Sequence, residues 1–79
     1  MMIQENDLVS LLIDLPHLGL SFGDVGTLAH CYESGNQFEV EFVNAKGVTI
    51  GVETLKKDQI NKVAIENVIL HVRKLADVA

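Results

Sequence analysis

The segment Pro16-His17-Leu18-Gly19-Leu20-Ser21-Phe22-Gly23-Asp24-Val25-Gly26-Thr27-Leu28 carries the single proline and three of the six glycines of the chain, set between two apolar runs. Glycines at 19 and 23 can take the positive-φ conformations of a sharp loop exit. Gly26, inside a strand-like run, marks a bend or a close backbone approach. This punctuation predicts a shaped loop feeding a bent strand. It is a signature of architecture, and no residue set in the chain forms a catalytic constellation.

Around that loop the apolar residues alternate with the period of two that strands require. Leu8 to Ile13, bracketed by Asp7 and Asp14, is a first strand with Val9, Leu11 and Ile13 turned to the core and Leu8, Ser10 and Leu12 to the other side. Asp24 to Tyr32 is a second; either of its faces can be the buried one, and Gly26 is a place where the faces could exchange. Glu33 to Asn36 is a turn by composition, and Gln37 to Val43 follows with Phe38, Val40 and Phe42 inward and Glu39 and Glu41 outward. A fourth strand, Val48 to Thr54, places Ile50 and Val52 inside. Matching the two apolar faces sets Phe42 opposite Ile50, Val40 opposite Val52, Asn44 opposite Val48 and Glu39 opposite Glu53. The loop is then Ala45-Lys46-Gly47, with Gly47 in the left-handed position of a three-residue hairpin turn. Leu55 to Ile60 reads as one helical turn, and Asn61 to Ile65 as a fifth strand with Val63 and Ile65 inward.

Short strands joined by tight turns argue a mainly β fold, a small antiparallel barrel of about five strands. Residues 1–66 form this barrel domain and residues 67–79 an amphipathic extension. In that extension Val68, Ile69, Val72, Leu75 and Ala76 make one helical stripe behind Asn67, while its β-branched first half also suits a sixth strand.

With 79 residues, 48% of them apolar, one small core leaves large apolar side chains outside it. The surplus falls on Leu8, Leu12, Val68, Ile69, Val72 and Leu75, so self-association through these residues, most simply as a two-fold dimer, is expected. The one cysteine, Cys31, excludes an internal disulfide and suits a reducing cytoplasm. No export signal or membrane-spanning run is evident. Charge is divided unevenly. Residues 1–45 hold seven acids (Glu5, Asp7, Asp14, Asp24, Glu33, Glu39, Glu41) and no Lys or Arg, whereas residues 46–79 hold four acids and six bases. That balance is unsuited to phosphate backbones and suits a basic protein partner, held by Glu39, Glu41 and Glu53.

The motifs Asp14-Leu15-Pro16-His17-Leu18-Gly19-Leu20, Gly23-Asp24-Val25-Gly26-Thr27-Leu28, Phe38-Glu39-Val40-Glu41-Phe42-Val43, and Thr54-Leu55 with Asp58-Gln59-Ile60 together resemble a family of small bacterial proteins. It is the one known as domain of unknown function 4926. The resemblance covers roughly residues 7–63 and implies an SH3-like small barrel without an assigned activity. Gly23 to Leu28 also resembles part of the KOW motif of ribosomal proteins and transcription factors, which implies RNA contact. An RNA surface here would need Lys46, Lys56, Lys57 and Lys62 gathered on one face.

His17, His30 and His71 lie in separate segments without metal-ligand spacing. Cys31, in a strand, is expected to be an inert half-buried thiol. Asp14 and Asp24 flank the loop and are expected to bond local amides; an enzyme would need them in one pocket with His17 or His30. Phe22 and Tyr32 could form a small aromatic patch. No catalytic residue, metal or cofactor is expected, and the chain reads as a non-enzymatic interaction module.

Overall fold

A computed structural model describes residues 3–64. Within them five strands form one antiparallel sheet: β1 (Leu8–Leu11), β2 (Val25–Cys31), β3 (Gln37–Val43), β4 (Thr49–Lys56) and β5 (Ile60–Lys62). Their order across the sheet is β4-β3-β2-β1-β5. The fold is therefore mainly β, as the alternation requires, but the sheet does not close into a barrel. β4 and β5 stand at opposite edges, and the three-residue 3-10 turn Lys57–Gln59 carries the chain directly from one to the other. Four residue steps from Lys56 to Ile60 span at most about 14 Å, so the sheet must curl strongly to bring its edges that near. A β5 of three residues is too short to complete the closure with a second ladder.

The inner face of this curled sheet holds the core: Val9, Leu11, Leu28, Phe38, Val40, Phe42, Leu55 and Ile60, joined by Leu15 from the long loop. Val9 and Leu11 are buried as the period predicts, with Ile13 packed against them. Phe38, Val40 and Phe42 likewise face inward. In β2 the buried face is the one bearing Gly26 and Leu28. The faces exchange through a bulge between Leu28 and His30, two residues beyond Gly26, so that Cys31 comes to lie opposite inward-facing Phe38. Gly26 has the other role open to it, that of close approach. A Cβ there would fall 2.7 Å from both Phe42 and Val40.

The β3–β4 hairpin departs from the expected register. At the turn it matches: Asn44 N–H donates to Val48 O at 2.9 Å, Gly47 has φ +79°, and Val43 pairs with Thr49. One step later the pairs are Phe42 with Gly51, Val40 with Glu53, Glu39 with Thr54 and Phe38 with Leu55. Ile50 is the extra residue of a bulge, and past a bulge every side chain of the strand changes face. Ile50 and Val52 are thus exposed rather than buried, and Leu55 replaces them in the core. The like-charged pair of Glu39 with Glu53 does not form. The last strand also changes face: Ile60 and Lys62 stand opposite inward-facing Leu11 and Val9, so Val63, expected inward, lies beside Leu8 on the outer side. β5 begins at Ile60, which is buried, and Val63 N–H donates to Leu8 O at 2.9 Å. Ile65 and the extension 67–79 lie outside the described residues.

The Pro/Gly segment is a closed excursion between β1 and β2. Its base is the pair Leu11 N–H to Asp24 O and Gly23 N–H to Leu11 O, each 2.8 Å. Higher up, Leu15 and Leu20 exchange two backbone hydrogen bonds across the 3-10 turn Pro16–Leu18, where proline supplies a preset φ and Gly19, at φ +70°, ends the turn. Leu18 then reaches the inner face of β4 at Gly51, where an added Cβ would lie 2.8 Å from its Cδ2.

Candidate functional site

Two sides of the sheet divide the polar chemistry. On the inner side, next to the docked loop, Glu53 receives His17 Nε2 on its carboxylate. This corrects the grouping of Glu53 with Glu39 and Glu41: the bulge at Ile50 turns it to the opposite face, paired with buried Val40. There it anchors the Pro16–Leu18 turn and is not presented to a partner on the outer face.

On the outer side, Glu39 and Glu41 project from β3, which lies between edge strand β4 and β2. Glu39 Oε1 accepts from Tyr32 Oη at 3.0 Å and from Thr54 Oγ1, and Glu41 Oε2 accepts from Thr49 Oγ1 at 3.0 Å. Both carboxylates are thus oriented by hydroxyl groups, and among the described residues neither has a salt bridge. Their negative charge stays uncompensated, in contrast to Asp7, which has Lys62 Nζ at 3.5 Å. The hydrogen bond to Glu39 is the main cause of a raised Tyr32 pKa, with burial and the carboxylate's charge adding to it. Tyr32 meets the ring of His30 edge-on at 4.8 Å, so its aromatic partner is His30 and not Phe22.

Apolar side chains flank these carboxylates. Val25 is 42% exposed, Val43 49% and Val52 53%. Val52 pairs with Glu41, which pairs on its other side with Thr27, and Thr27 in turn with Leu8. Val43 and Val25 lie one outward-facing step further along the same strands. Of the residues expected to seal a self-association, Leu8 is half-buried on this outer side and Leu12 is exposed just beyond β1. Val68, Ile69, Val72 and Leu75 lie outside the described residues. Reading the alternation straight through β4 missed Ile50 and Val52. Gly51 was the available signal, because a glycine inside a strand pattern marks a bulge or a close approach.

The four lysines among the described residues fall in three places. Lys56 and Lys57 line a cleft of about 520 Å³ with Ser34, Asn36, Gln37 and Asp58. Lys46 lies in the turn at the far end of β4, and Lys62 sits on β5 beside Asp7. The candidate acid pair serves local structure: Asp14 Oδ1 accepts from Phe22 N–H and Asp24 Oδ2 from Ser21 N–H, both at 2.8 Å. Burial, with Glu5 and Asp7 adding to it, pushes the Cys31 thiol up, which lowers its thiolate fraction at neutral pH. Among the described residues no cluster of His, Cys, Asp and Glu could hold a metal ion. None of their helices is long and apolar enough to cross a membrane.

All five strands and the closed loop fall within residues 5–62, the stretch matched by the model of the domain of unknown function DUF4926. The chain belongs to the DUF4926 family. The DUF4926 match takes in Glu39, Glu41, Val25, Val43 and Val52, and it stops before residues 63–79. Neither the curated proteins nor the solved structures contain a significant match to the chain.

Proposed function

We propose that this DUF4926 protein is a non-enzymatic protein-interaction module that works through the outer face of its sheet, self-associating there and holding a basic protein segment on Glu39 and Glu41. The observation that carries the reading is the composition of that face: Val25, Val43 and Val52, each about half exposed, lie beside two oriented carboxylates that no cation neutralises among the described residues. Covering a half-exposed valine recovers roughly 1 kcal/mol, and an uncompensated carboxylate beside it selects a partner that brings Lys or Arg. Cytoplasmic residence suits a chain with one free thiol. The competing RNA reading draws on Lys56 and Lys57, which line one cleft.

Sedimentation velocity at micromolar concentration tests self-association. A dimer is expected for the intact chain and a monomer for Val43→Lys/Val52→Lys, and a monomeric intact chain overturns it. Partner chemistry is tested by fluorescence polarisation of a labelled peptide alternating valine and lysine. Binding should weaken at least tenfold for Glu39→Gln/Glu41→Gln and with added salt. Salt-sensitive RNA binding lost on Lys56→Ala/Lys57→Ala would instead favour the RNA reading.

A further inference from the structure

We propose that the outer face takes a second copy of the chain, packed antiparallel across a two-fold axis that runs along the row of Val25 and Val43, with Lys46 of each copy set against Glu41 of the other. This rests on the self-association reading above and deepens it by naming the seam.

That row is the uncharged band of the face. Thr27 pairs with Glu41, so one outward step further along the antiparallel ladder Val25 lies beside Val43; Ser10, paired with Val25, and Thr49, paired with Val43, extend the row across β1 and β4. Because the sheet curls around its core, its outer face is convex, and a second convex face touches it along the crest of the middle strands. β2 is the middle strand of five and β3 its neighbour, so Val25 and Val43, both exposed, stand on that crest.

Symmetry then fixes what meets what. A two-fold axis along the row sets each residue over the one equally far from the row on the other side. Val25 and Val43 meet their own counterparts. Leu8, two residues before Ser10, meets Leu12, two residues after it, and the contact is made twice. Glu41, two residues before Val43, lands over the turn that carries Lys46. The backbone of that turn is held by Asn44 Oδ1, which accepts from Lys46 N–H at 2.9 Å and from Val48 N–H at 3.1 Å. Among the described residues the Lys46 ammonium has no salt bridge.

Charge selects this arrangement. An axis along the strands would keep the rows in step and crowd four carboxylates into one apolar contact. The axis along the row holds the two Glu41 carboxylates four residue steps apart, about 13 Å, beyond the Debye length of about 8 Å at physiological ionic strength. The two Glu39 carboxylates stand outside the seam, eight steps or about 26 Å apart, open to a basic segment. A foreign segment can supply lysine to Glu41, but only a second copy also supplies the reciprocal contact of Leu8 with Leu12.

Sedimentation velocity of charge-exchanged variants tests the pairing. Lys46→Glu and Glu41→Lys should each weaken the dimer at least tenfold, and an equimolar mixture should restore it, because only the mixed dimer joins opposite charges at both contacts. Variants that dimerise as tightly as the intact chain, or a mixture no tighter than its components, overturn the pairing and leave self-association standing. Cross-linking reads the geometry independently of charge. On a Cys31→Ser background, a short bis-maleimide should join two copies of Val43→Cys, which face each other across sheets about 10 Å apart, and should not join two copies of Glu39→Cys. Linkage through Glu39→Cys, or none through Val43→Cys, overturns the seam. Residues 39, 41, 43 and 46 all lie outside the buried core, so these variants keep the fold. A monomeric intact chain overturns the self-association reading and this inference with it. If that monomer binds the valine–lysine peptide and Val43→Lys abolishes the binding, the face belongs to a foreign basic segment.

Discussion

Phe42 on β3 fills the space that a side chain at Gly26 on β2 would need, since a Cβ built on Gly26 falls 2.7 Å from Phe42 Cε1. The opposite neighbour of Phe42, on β4, is also a glycine, Gly51. The fully buried ring therefore depends on the missing side chain on β2, whereas the space over Gly51 on β4 is taken by Leu18 from the loop.

Gly26→Ala should destabilise the chain by about 1 to 3 kcal/mol, the usual cost of overpacking a tight core, because the atoms in the way belong to Phe42 and Val40 within the sheet. Gly51→Ala should cost less, as the nearest atom there is the end of the Leu18 side chain on a loop. Urea denaturation of both variants checks the order. Equal midpoints would mean that the ring is free to move.

Register in the β3–β4 hairpin predicts opposite outcomes for two apolar residues. Val40→Asp places a carboxylate at a fully buried position and should abolish the cooperative melting transition, whereas Val52→Asp, on the exposed face, should shift it only slightly. Circular dichroism melts decide between them. A native transition in Val40→Asp together with loss of folding in Val52→Asp would restore the register without the bulge.

Tyr32 makes stability depend on pH in the alkaline range. Its pKa is raised in the folded chain, chiefly by the hydrogen bond to Glu39, so the folded state keeps the phenolic proton after the unfolded state begins to lose it. That contribution is complete below the unfolded value of about 10 and disappears as the pH rises through the higher folded value. The difference in Tm between the intact chain and Tyr32→Phe should hold steady from pH 7 to 9 and shrink above. Tyr32 is the only tyrosine and there is no tryptophan, so the phenolate absorbance reports this residue alone. A titration at or below the ordinary value, or a Tm difference that widens with pH, would contradict the Tyr32–Glu39 bond.

Local residue chemistry was enough, without tertiary information, to specify the strands, the turns and most of the core. Strand periodicity is written in nearest-neighbour order: Val9 and Leu11 in β1, and Phe38, Val40 and Phe42 in β3, are inward because a pleated chain must alternate. The left-handed glycines at 19, 23 and 47 and the amide-binding roles of Asp14 and Asp24 are equally local, since each depends on a few adjacent backbone atoms. Tertiary structure alone decided where alternation breaks. An extra residue at Ile50 and another between Leu28 and His30 are accommodated because the curled sheet must seat Phe42 against Gly51 and Cys31 against Phe38. Each such insertion reverses every following side chain. That reversal sends Val52 to the outer face beside Glu41 and Glu53 inward to His17, and so determines which carboxylates a partner can meet.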